Sequence, residues 1–220
     1  MEIKDLSCFI FDMDGVVFNT EEVWKYGYMY ANEHIGINLS EEYRKTLCGM
    51  NRGDIIEKIG KDFYPVDALA YRVKAEEYTF RELDNGNFNI KPHFLDLVKK
   101  LKEKNIKIAL ATSATRERMN LMFKKKGINK DDIFDCVICG EDAMGHSKPD
   151  PFIYIQATKR LNLKPSECCV IEDSLNGNRG AVAGGFVPIM DVDLIEPDEF
   201  CKKNCKCIVR DLGELINLLD

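Results

Sequence analysis

Short apolar runs recur along most of the chain and alternate with segments of helical periodicity. A short, continuously apolar run is typical of a strand buried on both faces, whereas apolar residues three and four positions apart mark the buried face of a helix. The predicted strands cover residues 6–11, 106–111, 134–139, 168–171, 185–189 and 207–209. Helical periodicity lies between them, as in residues 94–101, 119–123 and 152–161. This alternation predicts an α/β fold with a doubly wound, Rossmann-like parallel sheet.

One long interval, residues 19–88, breaks the alternation. It has helical periodicity and no convincing strand, as in the aromatic-rich stretch 23–30. Capping chemistry predicts helix starts at Ser40 and Asn51, and another at Pro65. We therefore predict a core domain formed by residues 1–18 and 89–220, with an inserted helical cap domain formed by residues 19–88.

The charge and the apolar runs narrow the range of partners. The formal net charge is −6 and the longest basic run is Lys124–Lys126, far from the cationic surface that nucleic acid requires. No apolar run approaches the roughly 20 residues of a membrane-spanning helix. The N-terminus also lacks the order of a signal peptide, because its first apolar run leads straight into acidic residues. We expect a cytoplasmic protein, a monomer or weak oligomer, that binds neither nucleic acid nor membranes.

Nine cysteines are an odd number for a disulfide framework, and several lie in predicted buried strands. Cys136 and Cys139 have the spacing of a metal-binding pair, and Cys201, Cys205 and Cys207 form a second group. Residues three apart in a strand point to opposite faces, so Cys136 and Cys139 are expected to diverge. We interpret the cysteines as structural thiols.

Two carboxylates, Asp12 and Asp14, directly follow the first predicted strand and precede Gly15. Ligands of a doubly wound sheet bind beyond the carboxyl ends of its strands, which is where this segment lies. The Asp-x-Asp-Gly pattern alone fits a solvated turn equally well. A calcium-binding loop is excluded, because Val23 stands where its bidentate glutamate is required.

Three further polar segments occur at or near predicted strand ends, in the order Thr112-Ser113, Lys148-Pro149-Asp150 and Glu172-Asp173. Together with Asp12 they suit phosphoryl transfer, because a carboxylate that attacks a phosphate ester needs cations to offset the repulsion. Mg²⁺ prefers oxygen ligands, which the acidic groups offer, and Lys148 adds a compact positive charge. Hydroxyl and backbone N–H groups near Thr112 and Ser113 suit phosphate oxygens. Asp14 is placed to transfer protons.

These four segments, in this order, resemble the motifs of the haloacid-dehalogenase-like hydrolase superfamily, and the inserted helices are similar to the cap of its phosphoglucomutase-like branch. The resemblance implies that Asp12 is the nucleophile and a ligand of Mg²⁺, and that Asp14 is the acid/base and binds the metal through its carbonyl. It implies phosphate binding by Thr112, Ser113 and Lys148. Asp173 is then a metal ligand, and Glu172 a direct or water-mediated one.

The family resemblance leaves the reaction open between a phosphatase and a β-phosphoglucomutase-like mutase, both acting on a small phosphorylated metabolite such as a sugar phosphate. The stretch 49–52 resembles the mutase, and Arg52 is suited to clamp a second phosphate. Trp24 replaces a cap histidine of the mutase, and Ala114-Thr115 replaces its Ser-Lys pair. Hydrolysis through a phosphoaspartate on Asp12 is therefore favoured.

Other functions fit the residues less well. Dehalogenases of the superfamily lack a carboxylate at the position of Asp14, and a phospho-accepting receiver module has its acidic pair before the acceptor aspartate. A non-catalytic phosphate-binding module is also carried as an alternative. The cap residues predicted to face the substrate are Glu22 and Arg52, followed by Arg72 and Lys74.

Overall fold

The computed structural model describes residues 2–219, in which six parallel strands form one sheet in the order β3-β2-β1-β4-β5-β6. The strands are β1 (Cys8–Phe11), β2 (Lys107–Ala111), β3 (Cys136–Ile138), β4 (Cys168–Glu172), β5 (Val187–Asp191) and β6 (Cys207–Val209). Each overlaps a predicted strand, and the predicted α/β fold is confirmed. Because the strand order changes direction between β1 and β4, the crevice at their carboxyl ends is where such a sheet binds ligands.

Helices cover both faces of the sheet and fill the interval between β1 and β2. In the described part of the chain they are α1 (Thr20–Ile35), α2 (Glu41–Lys45), α3 (Arg52–Asp62), α4 (Ala68–Asp84), α5 (Phe94–Glu103), α6 (Arg116–Lys125), α7 (Phe152–Leu161), α8 (Leu175–Ala183), α9 (Glu199–Asn204) and α10 (Gly213–Leu218). The predicted helical stretches fall within α5, α6 and α7. None of these helices is both long and apolar enough to cross a membrane.

The central strands are buried on both faces because their side chains alternate between two apolar layers. Phe9 and Phe11 of β1 pack into one layer, whereas Cys8 and Ile10 pack into the other. This explains why the strands appear in the sequence as continuous apolar runs rather than as alternating ones. It also leaves the carboxyl edge of the sheet as the place where polar side chains collect.

Helices α1 to α4 form a separate apolar cluster that contains Trp24, Tyr28 and Tyr71. Two predicted helix starts are confirmed, because Ser40 accepts a hydrogen bond from Tyr43 N (3.1 Å) and Asn51 accepts one from Asp54 N (2.9 Å).

The predicted start at Pro65 is wrong. Helix α4 begins at Ala68, since the side chain of Asp67 accepts a hydrogen bond from Ala70 N (2.9 Å) and caps the helix there. A proline suits the first turn of a helix only where a capping residue precedes it, and here the capping side chain lies two residues further on.

The two connections between the sheet and helices α1 to α4 run side by side. Asn19 N donates to the carbonyl of Asn89 (3.0 Å), and Lys91 N donates to the carbonyl of Val17 (2.9 Å). The backbone therefore pairs where the predicted cap begins and ends. The division into core and cap domains stays a prediction, and this pairing is consistent with its boundaries.

The cysteine side chains follow the strand geometry expected from the sequence. Cys136 packs into one apolar layer of the sheet and Cys139 into the other, so the two thiols diverge as predicted. All nine cysteines are free thiols. Cys201 and Cys205 instead belong to an apolar cluster beside β5 that also contains Met190.

Candidate active site

The polar segments predicted to meet do lie together at the carboxyl edge of the sheet. Asp12 follows β1, Thr112 follows β2, Lys148 lies in the loop after β3, and Glu172 ends β4. A cavity of about 180 Å³ opens between this edge and helices α1, α3 and α4. The predicted residues that line it are Asp12, Asp14, Thr112, Ser113, Lys148, Asp173, Arg52 and Arg72.

Lys148 is buried between two carboxylates from neighbouring strands. Its Nζ donates to Oδ1 of Asp12 (2.7 Å) and also contacts Oε1 of Glu172. Burial acts to lower the pKa of Lys148, but the two carboxylates outweigh it and hold that pKa well above its usual range. Lys148 is therefore a fixed positive charge at the floor of the cavity.

Burial raises the pKa of Asp12 to about 7, although Lys148 opposes this rise and the nearby carboxylates of Glu172 and Asp14 add to it. Burial of an anion without enough positive charge nearby has this effect. The site thus contains more negative charge than Lys148 alone offsets. A bound cation would relieve that imbalance.

Three carboxylates meet in one buried group suited to a metal ion. Oxygens of Asp12, Glu172 and Asp173 all lie within 4.8 Å of one another. Burial and the surrounding carboxylates raise the pKa of Asp173 well above its usual range. Gly15 has φ +78°, and a Cβ there would overlap the carboxylate of Asp173. The oxygen-only donors and this close approach of the backbone fit a hard cation such as Mg²⁺.

The carboxylate of Glu172 is already surrounded by donors. Besides Lys148, it accepts hydrogen bonds from Tyr154 Oη (2.9 Å), from Ser174 N (3.0 Å) and from Ser174 Oγ (2.8 Å). Asp12 and Asp173 have more capacity left for a metal, so Glu172 is better suited to orient Lys148. Tyr154 was missed by the sequence analysis because it lies in the apolar pattern of α7 and resembles a core residue.

The segment after β2 has the form expected of a phosphate-binding turn. Thr112 is buried and its Oγ1 accepts a hydrogen bond from Ala114 N (3.0 Å), while Ser113 is exposed to the cavity. Helix α6 begins directly afterwards, with Thr115 as its capping residue. Backbone N–H groups and the helix dipole at this end favour an anion.

Asp14 is held away from the buried carboxylate group by two side chains. Its Oδ1 accepts a hydrogen bond from Thr20 Oγ1 at the start of α1, and its Oδ2 contacts Nη2 of Arg118 on α6. Arg118 lines the cavity. Sequence reasoning could not identify Arg118, because surface helices commonly carry arginines and the direction of this side chain depends on how α6 packs.

The prediction for Glu22 needs a correction. Glu22 is exposed and is absent from the cavity wall, whereas the preceding residue, Glu21, lines it. Neighbours on a helix point about 100° apart, so only one of the pair can face the site. Glu21 is linked to Arg44 (3.3 Å) and accepts a hydrogen bond from the thiol of Cys48 (3.2 Å). Burial raises the pKa of Glu21.

Arg52 and Arg72 reach the cavity and share one carboxylate. Oε1 of Glu76 accepts from Nε of Arg52 (2.8 Å) and from Nε of Arg72 (2.9 Å), and Oε2 accepts from Nη2 of Arg52 (3.0 Å). Lys74 instead pairs with Glu77 (2.7 Å) and does not line the cavity. The roles of these cap residues stay predictions.

A doubly wound sheet that presents a buried aspartate, a buried lysine and an acidic group to one cavity has the features expected of a phosphohydrolase. Residues 9–189 match the family model of haloacid dehalogenase-like hydrolases. This chain therefore belongs to the haloacid dehalogenase-like hydrolase family, and the resemblance inferred from the motifs is confirmed.

Individual relatives agree with this assignment. A phosphorylated carbohydrates phosphatase of Thermotoga maritima is 30% identical over 83% of this chain and 83% of its own length. A probable pseudouridine-5'-phosphatase of Saccharomyces cerevisiae is 32% identical over 96% of this chain and 92% of its own. The crystal structure of a β-phosphoglucomutase from Clostridium difficile superposes with a TM-score of 0.78 at 22% identity, covering 96% of this chain and 93% of that one. At that identity the likeness shows a shared fold.

Proposed function

We propose that the protein is a Mg²⁺-dependent phosphatase that hydrolyses a small phosphorylated metabolite, a sugar phosphate, through a phosphoaspartate on Asp12. The observation that carries this proposal is the position of Asp12, which lies at the sheet edge between the fixed cation of Lys148 and the carboxylate of Asp173. A carboxylate nucleophile needs positive charge on both sides of the phosphate. Lys148 supplies one side, and the acidic group is suited to hold a cation on the other.

The first half of the reaction needs residues that bind the phosphate, a nucleophile, a proton donor and ligands for the cation. Thr112, Ser113 and Lys148 hold the phosphate oxygens, so that Asp12 faces the phosphorus opposite the leaving oxygen. Asp12 forms the new P–O bond as the ester P–O bond breaks, and Asp14 donates a proton to the leaving oxygen. Asp12 and Asp173 would hold the Mg²⁺, which when bound offsets the negative charge of nucleophile and phosphate.

The second half releases phosphate and returns the site to its starting state. Asp14, now ionised, takes a proton from a water molecule, which attacks the phosphorus of the phosphoaspartate. The P–O bond to Asp12 breaks and leaves its carboxylate free. For both halves Asp14 must turn from Thr20 and Arg118 toward the phosphate, which breaks its contacts with both side chains.

Helices α1 to α4 would act as the cap that encloses the substrate and limits the access of water. Trp24, Tyr28 and Arg72 of the cap face the catalytic residues across the cavity. Ser147, next to Lys148, donates a hydrogen bond to Asp54 of α3, which links the catalytic loop to the cap. Substrate selection would then depend on cap side chains.

A mutase remains the second candidate because Arg52 reaches the cavity, as a clamp for a second phosphate requires. Hydrolysis is favoured for two reasons. First, Nε and Nη2 of Arg52 already donate to Glu76. Second, Trp24 stands in place of the histidine of the mutase, and Ala114 and Thr115 stand in place of its Ser-Lys pair. The two relatives named as phosphatases, one of phosphorylated carbohydrates and one of pseudouridine 5'-phosphate, support a sugar phosphate as substrate.

The test is a screen of sugar phosphates and other phosphate monoesters, with free phosphate measured in the presence of MgCl₂ and after treatment with EDTA. We expect stoichiometric phosphate release that EDTA removes and that added Mg²⁺ restores. An isomerised ester whose formation depends on an added bisphosphate would establish the mutase instead. Inactivity toward every class of phosphate ester would overturn the proposal and favour a binding module.

A further inference from the structure

Arg118 is a largely buried cation that lines the cavity, and its charge has no role in the proposed reaction. Its side chain is only 16% exposed, and within residues 2–219 its ion pair is with Asp14. Its Nε is buried and has no hydrogen-bond partner among the described residues. The guanidinium group therefore has unused hydrogen-bonding capacity beside the group that must protonate the leaving oxygen.

Trp24 lies within cation–π distance of this guanidinium and of a second one. The Cζ atom of Arg72 lies 4.2 Å from the centre of the Trp24 ring, and that of Arg118 lies 5.9 Å from it. Trp24 is itself buried. Cation–π contacts with one indole thus hold an arginine of the cap helix α4 and an arginine of the core helix α6 on the same wall of the cavity.

On this wall three arginines are paired with only two carboxylates, those of Glu76 and Asp14. Arg52, Arg72 and Arg118 all line the cavity, and Glu76 is shared by the first two. Arg118 has only Asp14 as its ion-pair partner in the described chain. When Asp14 turns to the leaving oxygen, Arg118 becomes an unpaired and largely desolvated charge, which is unfavourable. An anion from another source would remove that penalty.

We propose that the substrate carries a second oxyanion, a carboxylate or a further phosphate, and that Arg118 is the residue that binds it. The inference rests on the proposed phosphatase function and adds the substrate class. The second oxyanion replaces Asp14 as the partner of Arg118 and uses the free Nε–H, as a planar guanidinium does with a two-oxygen acceptor. Binding of the right substrate thereby releases Asp14 for catalysis, whereas a neutral ester leaves Asp14 paired with Arg118.

Asp14 contacts Arg118 and must also reach the leaving oxygen. The second oxyanion must therefore lie close to the ester, within roughly 8 Å by ordinary hydrogen-bond lengths. Matched substrate pairs can test this requirement. Glycerol 3-phosphate and 3-phosphoglycerate differ in a carboxylate, whereas fructose 6-phosphate and fructose 1,6-bisphosphate differ in a phosphate. For the bisphosphate, release from each position is followed separately.

For the wild-type protein we expect kcat/KM to be at least about tenfold higher for the anion-bearing member of one pair, as a charge-assisted hydrogen bond provides. The pair that shows the preference tells which oxyanion is bound. In Arg118→Gln this preference in kcat/KM should fall about tenfold, because the neutral Gln side chain cannot form an ion pair with the second oxyanion. Arg118→Lys should restore part of it.

Arg116→Gln is the matched control, because Arg116 lies on the same helix, pairs with Asp142 and does not line the cavity. It should retain the wild-type preference. If the wild-type protein hydrolyses both members of each pair equally, or if Arg118→Gln lowers kcat/KM by the same factor for both, the second oxyanion is ruled out while the phosphatase function stands. Inactivity of the wild-type protein toward all esters overturns both. If Arg118→Gln does not fold, Arg118→Lys serves instead: it should keep only part of the preference, and a preference equal to that of the wild-type protein would rule out a two-hydrogen-bond contact through Arg118.

Discussion

Nζ of Lys148 lies 2.7 Å from Oδ1 of Asp12 and also contacts Oε1 of Glu172, so one buried cation serves two carboxylates that leave adjacent strands. The lysine comes from the loop after β3, on the far side of β2. The arrangement holds the proposed nucleophile in place and prepares a positive charge for the incoming phosphate. It also means that catalysis and stability depend on the same contact.

Lys148→Met should therefore destabilise the fold as well as reduce turnover. Removing one partner of a buried ion pair leaves uncompensated charge, here two carboxylates, and costs about 3 kcal/mol in the free energy of unfolding. Urea denaturation at pH 7 measures this loss. Lys99→Met, at an exposed position on α5, should change the free energy by less than about 0.5 kcal/mol. Equal stability of the two variants would contradict the structural role of Lys148.

Asp12→Asn should abolish turnover and preserve the fold. The amide has nearly the same shape but cannot attack phosphorus, so kcat should fall by at least about 10³-fold. Phosphate release from an accepted ester measures the loss, and thermal unfolding checks the fold. Asp96→Asn, at an exposed position on α5, serves as the control and should keep full activity. Activity of Asp12→Asn near the wild-type level would rule out the nucleophile assignment.

Asp14→Asn should slow poor leaving groups more than good ones. General acid catalysis contributes about 10²- to 10⁴-fold where the leaving oxygen needs a proton, and p-nitrophenolate leaves without one. The measurement is kcat/KM for an alkyl phosphate relative to p-nitrophenyl phosphate, in the variant and in the wild-type protein. An unchanged ratio would show that Asp14 is not the proton donor.

Gly177→Ala should disturb the buried carboxyl group of Glu172 beneath the cavity, although alanine favours helices more than glycine does. Gly177 lies in α8, and a Cβ there would overlap the carboxyl group of Glu172. That carboxyl group is fixed by Ser174, Tyr154 and Lys148 and has no free direction in which to move. We expect a loss of about 1 to 3 kcal/mol in the free energy of unfolding, together with reduced turnover.

Gly60→Ala provides the comparison for Gly177→Ala, because Gly60 lies in α3 with only ordinary contacts around the added methyl group. That substitution should be neutral or stabilising by up to about 1 kcal/mol. If both alanine variants behaved alike, close packing against Glu172 would not be the reason for glycine at 177.

Asp191→Asn should stabilise the protein in a pH-dependent manner. Asp191 ends β5, and both of its carboxyl oxygens are buried with no hydrogen-bond partner in residues 2–219. Burial raises its pKa from 3.8 to about 7, while Lys91 opposes the rise and Asp193, Asp211 and Glu214 add to it. A raised carboxyl pKa destabilises the fold increasingly as the pH rises from about 4 to about 7, and this effect levels off above that.

The gain from Asp191→Asn should therefore be small near pH 4 and reach at most about 4 kcal/mol at pH 8, since each pKa unit corresponds to about 1.4 kcal/mol. Thermal or urea unfolding across this pH range measures it. Asp96→Asn should show no comparable pH-dependent gain. A gain for Asp191→Asn that did not change with pH would contradict the raised pKa.

The sequence by itself determined the sheet, the helices that cover it and the set of polar residues at its carboxyl edge. Short continuous apolar runs are typical of central strands, and parallel strands bring their carboxyl ends to one edge. Asp12, Thr112, Lys148 and Glu172 could therefore be placed together without coordinates. The missed start of α4 shows the limit of such reasoning, since Pro65 and the capping Asp67 compete within three residues.

Only the tertiary structure decided which side chains complete the cavity. Glu21 rather than Glu22 faces the site because the rotation of α1 is set by packing against α4. Arg118 reaches Asp14 because α6 lies beside the cap, and Tyr154 binds Glu172 from within an apolar helix face. Contacts of this kind depend on how separate elements pack against one another, and neither periodicity nor motif spacing contains that information.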